Sequence, residues 1–289
     1  MSILFNSFDA QIELNADSNV CIEYEQLQFW LKRFCPNIQT RQSGEADYRI
    51  NLLIGNQNSI KLKENESNIS GNWAKGDESF LAKYITQVFQ KVLLPSDIFY
   101  VPAACVVCKE AAILIMGDFW QGKTSVALNS AKMIEGAAVL SDNYIAIKGD
   151  SVIGHTDYIS LRNDNAHIET DENPIVIRNG RKFFCNKYEN KDYKICGICI
   201  PHINEGDNNY HQVSREEAIW YLYQKLSRLL NGESVLFNGD LPSPIFNNMD
   251  TSSKILRIVK DWVDKYPLMY ASGALQNISL VVKGMLCKG

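Results

Sequence analysis

The 289-residue chain is short of several things, and each shortage excludes a class of protein. Its eight cysteines are too sparse for a disulfide scaffold, and a chain of this length buries a core without covalent staples. It has no surplus of positive charge. The formal net charge is −4, and no Lys/Arg cluster supplies the electrostatic footprint of a duplex nucleic-acid binder. No apolar run is long enough to span a membrane, since the longest, Val101 to Met116, is broken by Lys109 and Glu110. No basic segment precedes the apolar residues of Met1-Ser2-Ile3-Leu4-Phe5, so the start does not read as a signal peptide and the expected location is the cytoplasm. The four histidines, His155, His167, His202 and His211, lack the spacing of a metal cluster.

What is present is an ordinary folded composition, 46% hydrophobic and 21% charged, sized for one large domain or two small ones. Two cysteine pairs, Cys105-Val-Val-Cys108 and Cys196-Gly-Ile-Cys199, share the spacing of zinc ligands. A zinc knuckle needs a turn between its sulfurs, whereas Val106-Val107 is β-branched and continues an apolar run. In a strand, positions three apart face opposite sides, so these are expected to be core cysteines.

Gln11–Leu14 and Arg49–Ile54 read as strands. Between them, Leu27, Trp30, Leu31 and Phe34 mark a helix from Tyr24 to Phe34 that Pro36 closes. Asn65 to Trp73 reads as a polar, turn-rich connection. Glu78 to Leu94 is a second amphipathic helix ended by Pro95, and the main boundary falls at Pro95–Ile98. Beyond it, strands are expected at Val101–Val107, Ala111–Met116, Ala137–Leu140, Tyr144–Ile147, Ser151–Ile153, Ile175–Ile177 and Lys194–Ile200, with a helix over Ser125–Ile134. Ser214-Arg-Glu-Glu217 fits a capping box opening a helix to Leu230, and further helices follow at Ser252–Tyr266 and near the C-terminus. Strand, loop, helix, strand in that order argues for an α/β nucleotide-binding core.

Gly117-Asp118-Phe119-Trp120-Gln121-Gly122-Lys123-Thr124 satisfies the P-loop pattern of glycine, four residues, glycine, lysine, threonine. The glycines let successive N–H groups converge on phosphate oxygens. Lys123 brings a point charge to the outer phosphates, and the Thr124 hydroxyl can hold Mg²⁺. The segment follows an apolar strand and opens a helix whose positive end adds to the same anion site. Gly117 to Ser125 is therefore the candidate nucleotide-binding segment, for ATP or another nucleoside triphosphate with Mg²⁺. Downstream, Val139-Leu140-Ser141 delivers Asp142, placed to meet the metal or its waters, or to act as a base. The competing reading of Asp142-Asn143 is a turn pair. Arg162, after Ile159 and Leu161, is a candidate cation for a phosphate or an acidic substrate, with a surface salt bridge as the alternative. Trp120 is unusually large for its place and is expected to be partly buried.

Gly117–Thr124 followed by Val139 to Ile147 resembles HPr kinase/phosphorylase and its smaller kinase relatives, lasso-peptide kinases among them. Weaker similarity runs on through His155–Arg162, Gly197–Pro201 and Val213–Ala218, so the resemblance covers about Tyr100 to Leu230. It implies a P-loop core of the phosphoenolpyruvate carboxykinase type. Asn143 stands where that family commonly has a second aspartate, and no histidine precedes the loop. HPr itself is therefore not the expected acceptor.

The expected architecture is α/β, with residues 1–97 as an α+β acceptor-binding or accessory region and 98–289 as the kinase-like core with C-terminal helices. The expected activity is Mg-dependent phosphate transfer from ATP to a hydroxyl of a peptide, protein or small metabolite. Lys123 and Asp142 are the catalytic candidates, Thr124 and Asp142 the metal ligands, and Asn143 and Arg162 the substrate contacts. Two alternatives stay open: a nucleotide-binding module that transfers nothing, and a carboxykinase-like enzyme acting on a small carboxylic acid. No nucleic-acid or membrane partner is expected, and self-association is left open.

Overall fold

The computed structural model describes residues 2–118, 120–162, 174–178, 180–186, 191–232, 235–237 and 240–287, with the backbone alone at Arg162. The chain forms two compact units, Met1–Tyr100 with Ser227–Ser252, and Val101–Leu226 with Ser253–Gly289. Ser227–Ser252 is thus an excursion from the second unit into the first.

The first unit is built from β1 (Ser2–Ser7), β2 (Ala10–Ala16), α1 (Tyr24–Phe34), β3 (Gln39–Arg41), β4 (Tyr48–Ile54), β5 (Ser59–Lys63), β6 (Glu66–Gly71) and α2 (Glu78–Leu93). Its sheet runs β3-β1-β2-β4-β6-β5, with β2, β4 and β6 parallel to one another. Period-two alternation turns Ile12, Leu14, Ile50, Leu52 and Ile69 into the core, where each is fully buried. Helices α1 and α2 pack on each other, with Leu27 and Leu31 on one and Leu81, Ile85 and Val88 on the other completing that core. On the other face of the sheet, Asn15 Nδ2 donates to Asn51 Oδ1 (3.2 Å) and Asn51 Nδ2 to Asn68 Oδ1 (2.9 Å).

The segment expected as a turn-rich connection, Asn65–Trp73, instead holds β6, an interior strand between β4 and β5. Its inward positions are Ser67, Ile69 and Gly71, so only one carries a large apolar side chain and the alternation was hidden. Helix α2 ends at Leu93 and tightens into a 3₁₀ turn over Leu94–Ser96, where the missing N–H of Pro95 is tolerated.

The second unit follows through β7 (Ile98–Cys108), β8 (Ala111–Met116), α3 (Lys123–Met133), β9 (Ala137–Ser141), β10 (Tyr144–Lys148), β11 (Ser151–His155), β12 (Tyr158–Arg162), β13 (Val176–Arg178), β14 (Arg181–Cys185), β15 (Tyr193–Ile203), β16 (Asn209–Gln212) and α4 (Arg215–Ser227). A two-residue pair, β17 (Val235–Leu236) with β18 (Leu241–Pro242), lies in the excursion, and α5 (Met249–Lys265), β19 (Leu268–Gly273) and α6 (Leu275–Leu286) close the chain. The main sheet runs β11-β10-β7-β8-β15-β19-β16, with β9 also paired to β7. Strands β8, β15 and β19 are parallel, and β7 is antiparallel to both β8 and β9. Ile113 and Ile115 of β8 meet Val126 and Ala127 of α3 and Val282 of α6 in one buried cluster. A smaller sheet, β12-β14-β13, stands beside it in the chain order. The architecture is thus mixed α/β.

Among the described residues the cysteines are all free. Cys105 and Cys199 are core residues, and burial pushes the Cys199 thiol up to about 12. Cys108 and Cys196 are only half-buried, a correction to the expectation that all four lie in the core. The capping box holds: Ser214 Oγ donates to Glu217 Oε2 (2.8 Å) and accepts from the Glu217 N–H (3.4 Å) ahead of α4. No helix among the described residues is long and apolar enough to cross a membrane.

Candidate functional site

Register brings the candidate residues together. Met116, the last residue of β8, lies opposite Ala103 of β7, and Ser141, the last of β9, lies opposite Cys105. Strands β8 and β9 therefore run parallel, one strand apart, and leave the sheet at the same edge. Such a carboxyl edge is where open α/β sheets place their ligands. The loop from Gly117 turns back into α3, while Asp142 leaves β9 at the bend before β10. Thr124, in the first turn of α3, thereby meets Asp142, its Oγ1 donating to Oδ2 at 3.5 Å.

Two of the loop's described residues hold left-handed conformations. Gly122 caps α3 at φ 84°, a left-handed backbone conformation that favours glycine. Trp120 sits at φ 73° and is 80% exposed, which corrects the expectation of partial burial. Within the loop, the Asp118 N–H donates to Gln121 Oε1 (2.7 Å), and Lys123 Nζ donates to the Asp118 carbonyl (2.7 Å). The backbone is thus curled around a side-chain oxygen and a lysine head group. Ser125 is half-buried in α3, and Phe119 lies outside the described residues.

A second lysine reaches the loop. Lys225 of α4 has a side chain only 8% exposed, and its Nζ is ion-paired with the Asp118 carboxylate. It lies over the ring of Tyr221 at 5.0 Å, and burial, with the Asp118 charge second, raises the Tyr221 hydroxyl above its ordinary range. The Asp118 side chain is 63% exposed, so only the lysine end of this pair is withdrawn from water.

Asp142 is itself buried, which a bare turn residue would not be. Its Oδ2 accepts from the Ser160 N–H (3.2 Å) and from Ser160 Oγ (3.5 Å). Arg181 Nη1 in turn donates to Ser160 Oγ at 3.0 Å. Asn143 is held in the bend, its N–H donating to Ser141 Oγ (3.3 Å), which donates to the Tyr144 carbonyl (2.9 Å). Arg162 is placed by its backbone opposite Arg181 on the small sheet. His155 is buried with Nδ1 3.0 Å from the Thr156 carbonyl, while His202 and His211 are exposed and His167 lies outside the described residues. No group of three or more His, Cys, Asp or Glu stands close enough to hold a metal among the described residues.

Sequence reasoning missed Lys225, Ser160 and Arg181 as site residues. Lys225 had a signal: it occupies the apolar stripe of α4 with Ala218, Leu222 and Leu226, where a lone charge asks for a buried partner. Ser160 and Arg181 had none, because their proximity to Asp142 arises from the pairing of β12 with β14. No family model matches the chain, and no curated protein matches it.

Proposed function

We propose that the second unit is a P-loop core of the kind found in HPr kinase and phosphoenolpyruvate carboxykinase. It binds ATP or another nucleoside triphosphate at Gly117–Ser125 and transfers the terminal phosphate to a hydroxyl of a peptide, protein or small metabolite. The observation that carries this reading is the meeting of the Thr124 hydroxyl with the buried Asp142 carboxylate at the edge where the glycine loop opens α3. In this reading Lys123 exchanges the Asp118 carbonyl for the outer phosphates, and Lys225 keeps the loop curled through Asp118.

The donor set fits Mg²⁺ carried in with the nucleotide rather than a resident ion. Thr124 and Asp142 offer two hard oxygens, and Mg²⁺ completes its shell with phosphates and water in sites of this kind. Thr124 would hold it directly and Asp142 through its waters, and the chemistry it would supply there is neutralisation of phosphate charge. Asp142 orients the acceptor hydroxyl and takes its proton as the oxygen attacks the γ-phosphorus. The bond to the bridging oxygen breaks, and its electron pair leaves with the nucleoside diphosphate. The first unit, which carries no chemical motif, binds or orients the acceptor.

The test is titration of the full chain with MgADP and with ATP, beside Lys123→Ala. The variant should lose about 10²–10³-fold in nucleotide-dependent turnover, the scale for removing one preorganised donor, with an unchanged melting temperature. Equal nucleotide binding in parent and variant would defeat the assignment. The bend carries a single carboxylate, Asp142 beside Asn143, which favours a non-transferring nucleotide module as the second reading. Tight ATP binding with no ADP release in the presence of any acceptor marks that outcome.

A further inference from the structure

Asp118, which follows the opening glycine of the loop, is held through its backbone and its side chain. Its N–H donates to Gln121 Oε1 (2.7 Å), its carbonyl accepts from Lys123 Nζ (2.7 Å), and its carboxylate is ion-paired with Lys225. The first contact lies inside the curve of the loop. A Cβ placed on Gly117 would stand 2.4 Å from the same Gln121 oxygen, which therefore fills space that this glycine leaves open. The P-loop pattern does not ask for an amide there, since the four residues between its glycines are unspecified. A backbone N–H in such a curve is what a glycine loop offers to a phosphate oxygen. A carboxamide oxygen is a neutral acceptor that meets the same N–H at the same distance. The loop thus supplies an oxygen of its own, and the lysine of the motif is turned onto a carbonyl of the same loop.

We propose that the Gln121 carboxamide is a built-in competitor of the nucleotide. Its oxygen occupies the place of a phosphate oxygen, and a nucleoside di- or triphosphate binds by displacing it. The inference rests on the nucleotide-binding reading above and adds to it a residue that sets the affinity of the loop. The exchange replaces a neutral hydrogen bond with a charge-assisted one, so it favours the phosphate. The bond that is given up is nonetheless subtracted from the affinity that the same loop would show without it. Lys123 leaves the Asp118 carbonyl for the outer phosphates in the same exchange, while Lys225 keeps its hold on the Asp118 carboxylate. Gln121 therefore acts on binding through a contact that the bound nucleotide has broken, and its removal should strengthen binding. A side chain that touches the bound nucleotide, or one that only shapes the loop, predicts the opposite sign.

The experiment titrates the full chain with MgADP by calorimetry, in the parent and in three variants of Gln121. Gln121→Ala removes the competing oxygen and should tighten binding by about 3–10-fold, the scale of one neutral hydrogen bond. Gln121→Met keeps the length of the side chain and loses the oxygen, so it should tighten binding even if the alanine variant slackens the loop. Gln121→Glu sets an ionised oxygen in the same seat, which holds the N–H more strongly and repels the phosphates. Its affinity should fall by about tenfold or more. Binding no tighter than the parent's in both the alanine and the methionine variants would overturn the proposal. So would a glutamate variant that binds as tightly as the parent. Failure of MgADP to bind the parent and every variant would instead overturn the nucleotide-binding reading, and the competitor role with it.

Discussion

The two units treat the polar side chains of their sheets in opposite ways. In the first, Asn15, Asn51 and Asn68 stand at adjacent positions on three parallel strands, Asn15 donating to Asn51, Asn51 to Asn68 and Asn68 to Glu66. Arg49 likewise closes on Glu13 within the same sheet at 3.0 Å. In the second, charged and hydroxyl groups gather where strands end: Lys123, Thr124, Asp142, Lys225, and Ser160 with Arg181. A ladder of bonds between neighbouring strands holds them in register. Groups from α3, β9, β12 and β14 instead bond to one another between elements distant in sequence, beside the Lys225–Asp118 pair of α4 and the loop. Polar substitutions should therefore register in stability in the first unit and in binding or transfer in the second.

The largest expected effect tests whether the units can be parted at the boundary legible in the sequence. Removing residues 1–97 should leave an insoluble remainder, not a working core. Phe237, buried in the excursion, lies tilted against Trp73 with ring centroids 4.5 Å apart, and the Phe246 ring lies 6.5 Å from that of Tyr84. Gln87 Nε2 donates to the Pro244 carbonyl at 2.6 Å. Deletion strips Ser227–Ser252 of all three partners and exposes aromatic surface. A soluble, cooperatively melting fragment in size-exclusion and circular dichroism measurements would show the excursion to be dispensable.

Next in size is Asp142→Asn. The amide keeps an oxygen to accept the Ser160 N–H, so the fold should survive. It cannot take a proton near neutral pH, so transfer should fall by about 10²–10⁴-fold while most Mg-ATP affinity remains. Calorimetric titration of ATP with and without Mg²⁺ separates this from a purely metal-binding role. A variant that binds ATP normally in EDTA but gains nothing from Mg²⁺ would refute the assignment of Asp142 as base.

Those two experiments bear on unequally legible parts of the molecule. Helix α1 was readable to the residue because Leu27 and Leu31 recur on one face over a short span. The glycine loop and the capping box at Ser214 are likewise local, with each residue's partner only a few positions away. Strand β6 was not readable, since an interior strand flanked by β4 and β5 needs little apolar surface of its own. The allegiance of Ser227–Ser252 was hidden for a different reason: its contacts with Trp73, Tyr84 and Gln87 span more than a hundred residues, and no periodicity encodes them. The site divides the same way. Thr124 and Asp142 follow from motif and spacing, whereas Arg181 joins them only through strand pairing.

A smaller effect is expected from Asn51→Ala. Asn51 is the middle rung, accepting from Asn15 and donating to Asn68. Its loss should lower unfolding free energy by about 1 kcal/mol, the net value of bonds that water partly replaces at a half-exposed sheet face. Nucleotide affinity should not move. A change in nucleotide binding without a change in denaturant midpoint would break the division between a structural and a functional polar set.

The smallest effect concerns a large side chain in the glycine loop held at positive φ. Trp120 adopts φ 73° with 80% of its surface exposed, so it carries the steric cost of a left-handed residue and recovers little from burial. That cost is about 1–2 kcal/mol for a residue with a Cβ. Glycine removes it but brings about 0.5–1 kcal/mol of extra entropy loss on folding. Trp120→Gly should therefore leave stability equal or higher by roughly 0.5 kcal/mol, the difference between those two terms, as read from the denaturant midpoint. Loss of more than about 1 kcal/mol would mean that the indole contributes packing in the folded state that its exposure conceals. Retained stability with weakened nucleotide or acceptor binding would instead place the exposed ring over the ligand, which would put a large side chain among the functional groups at the strand edge.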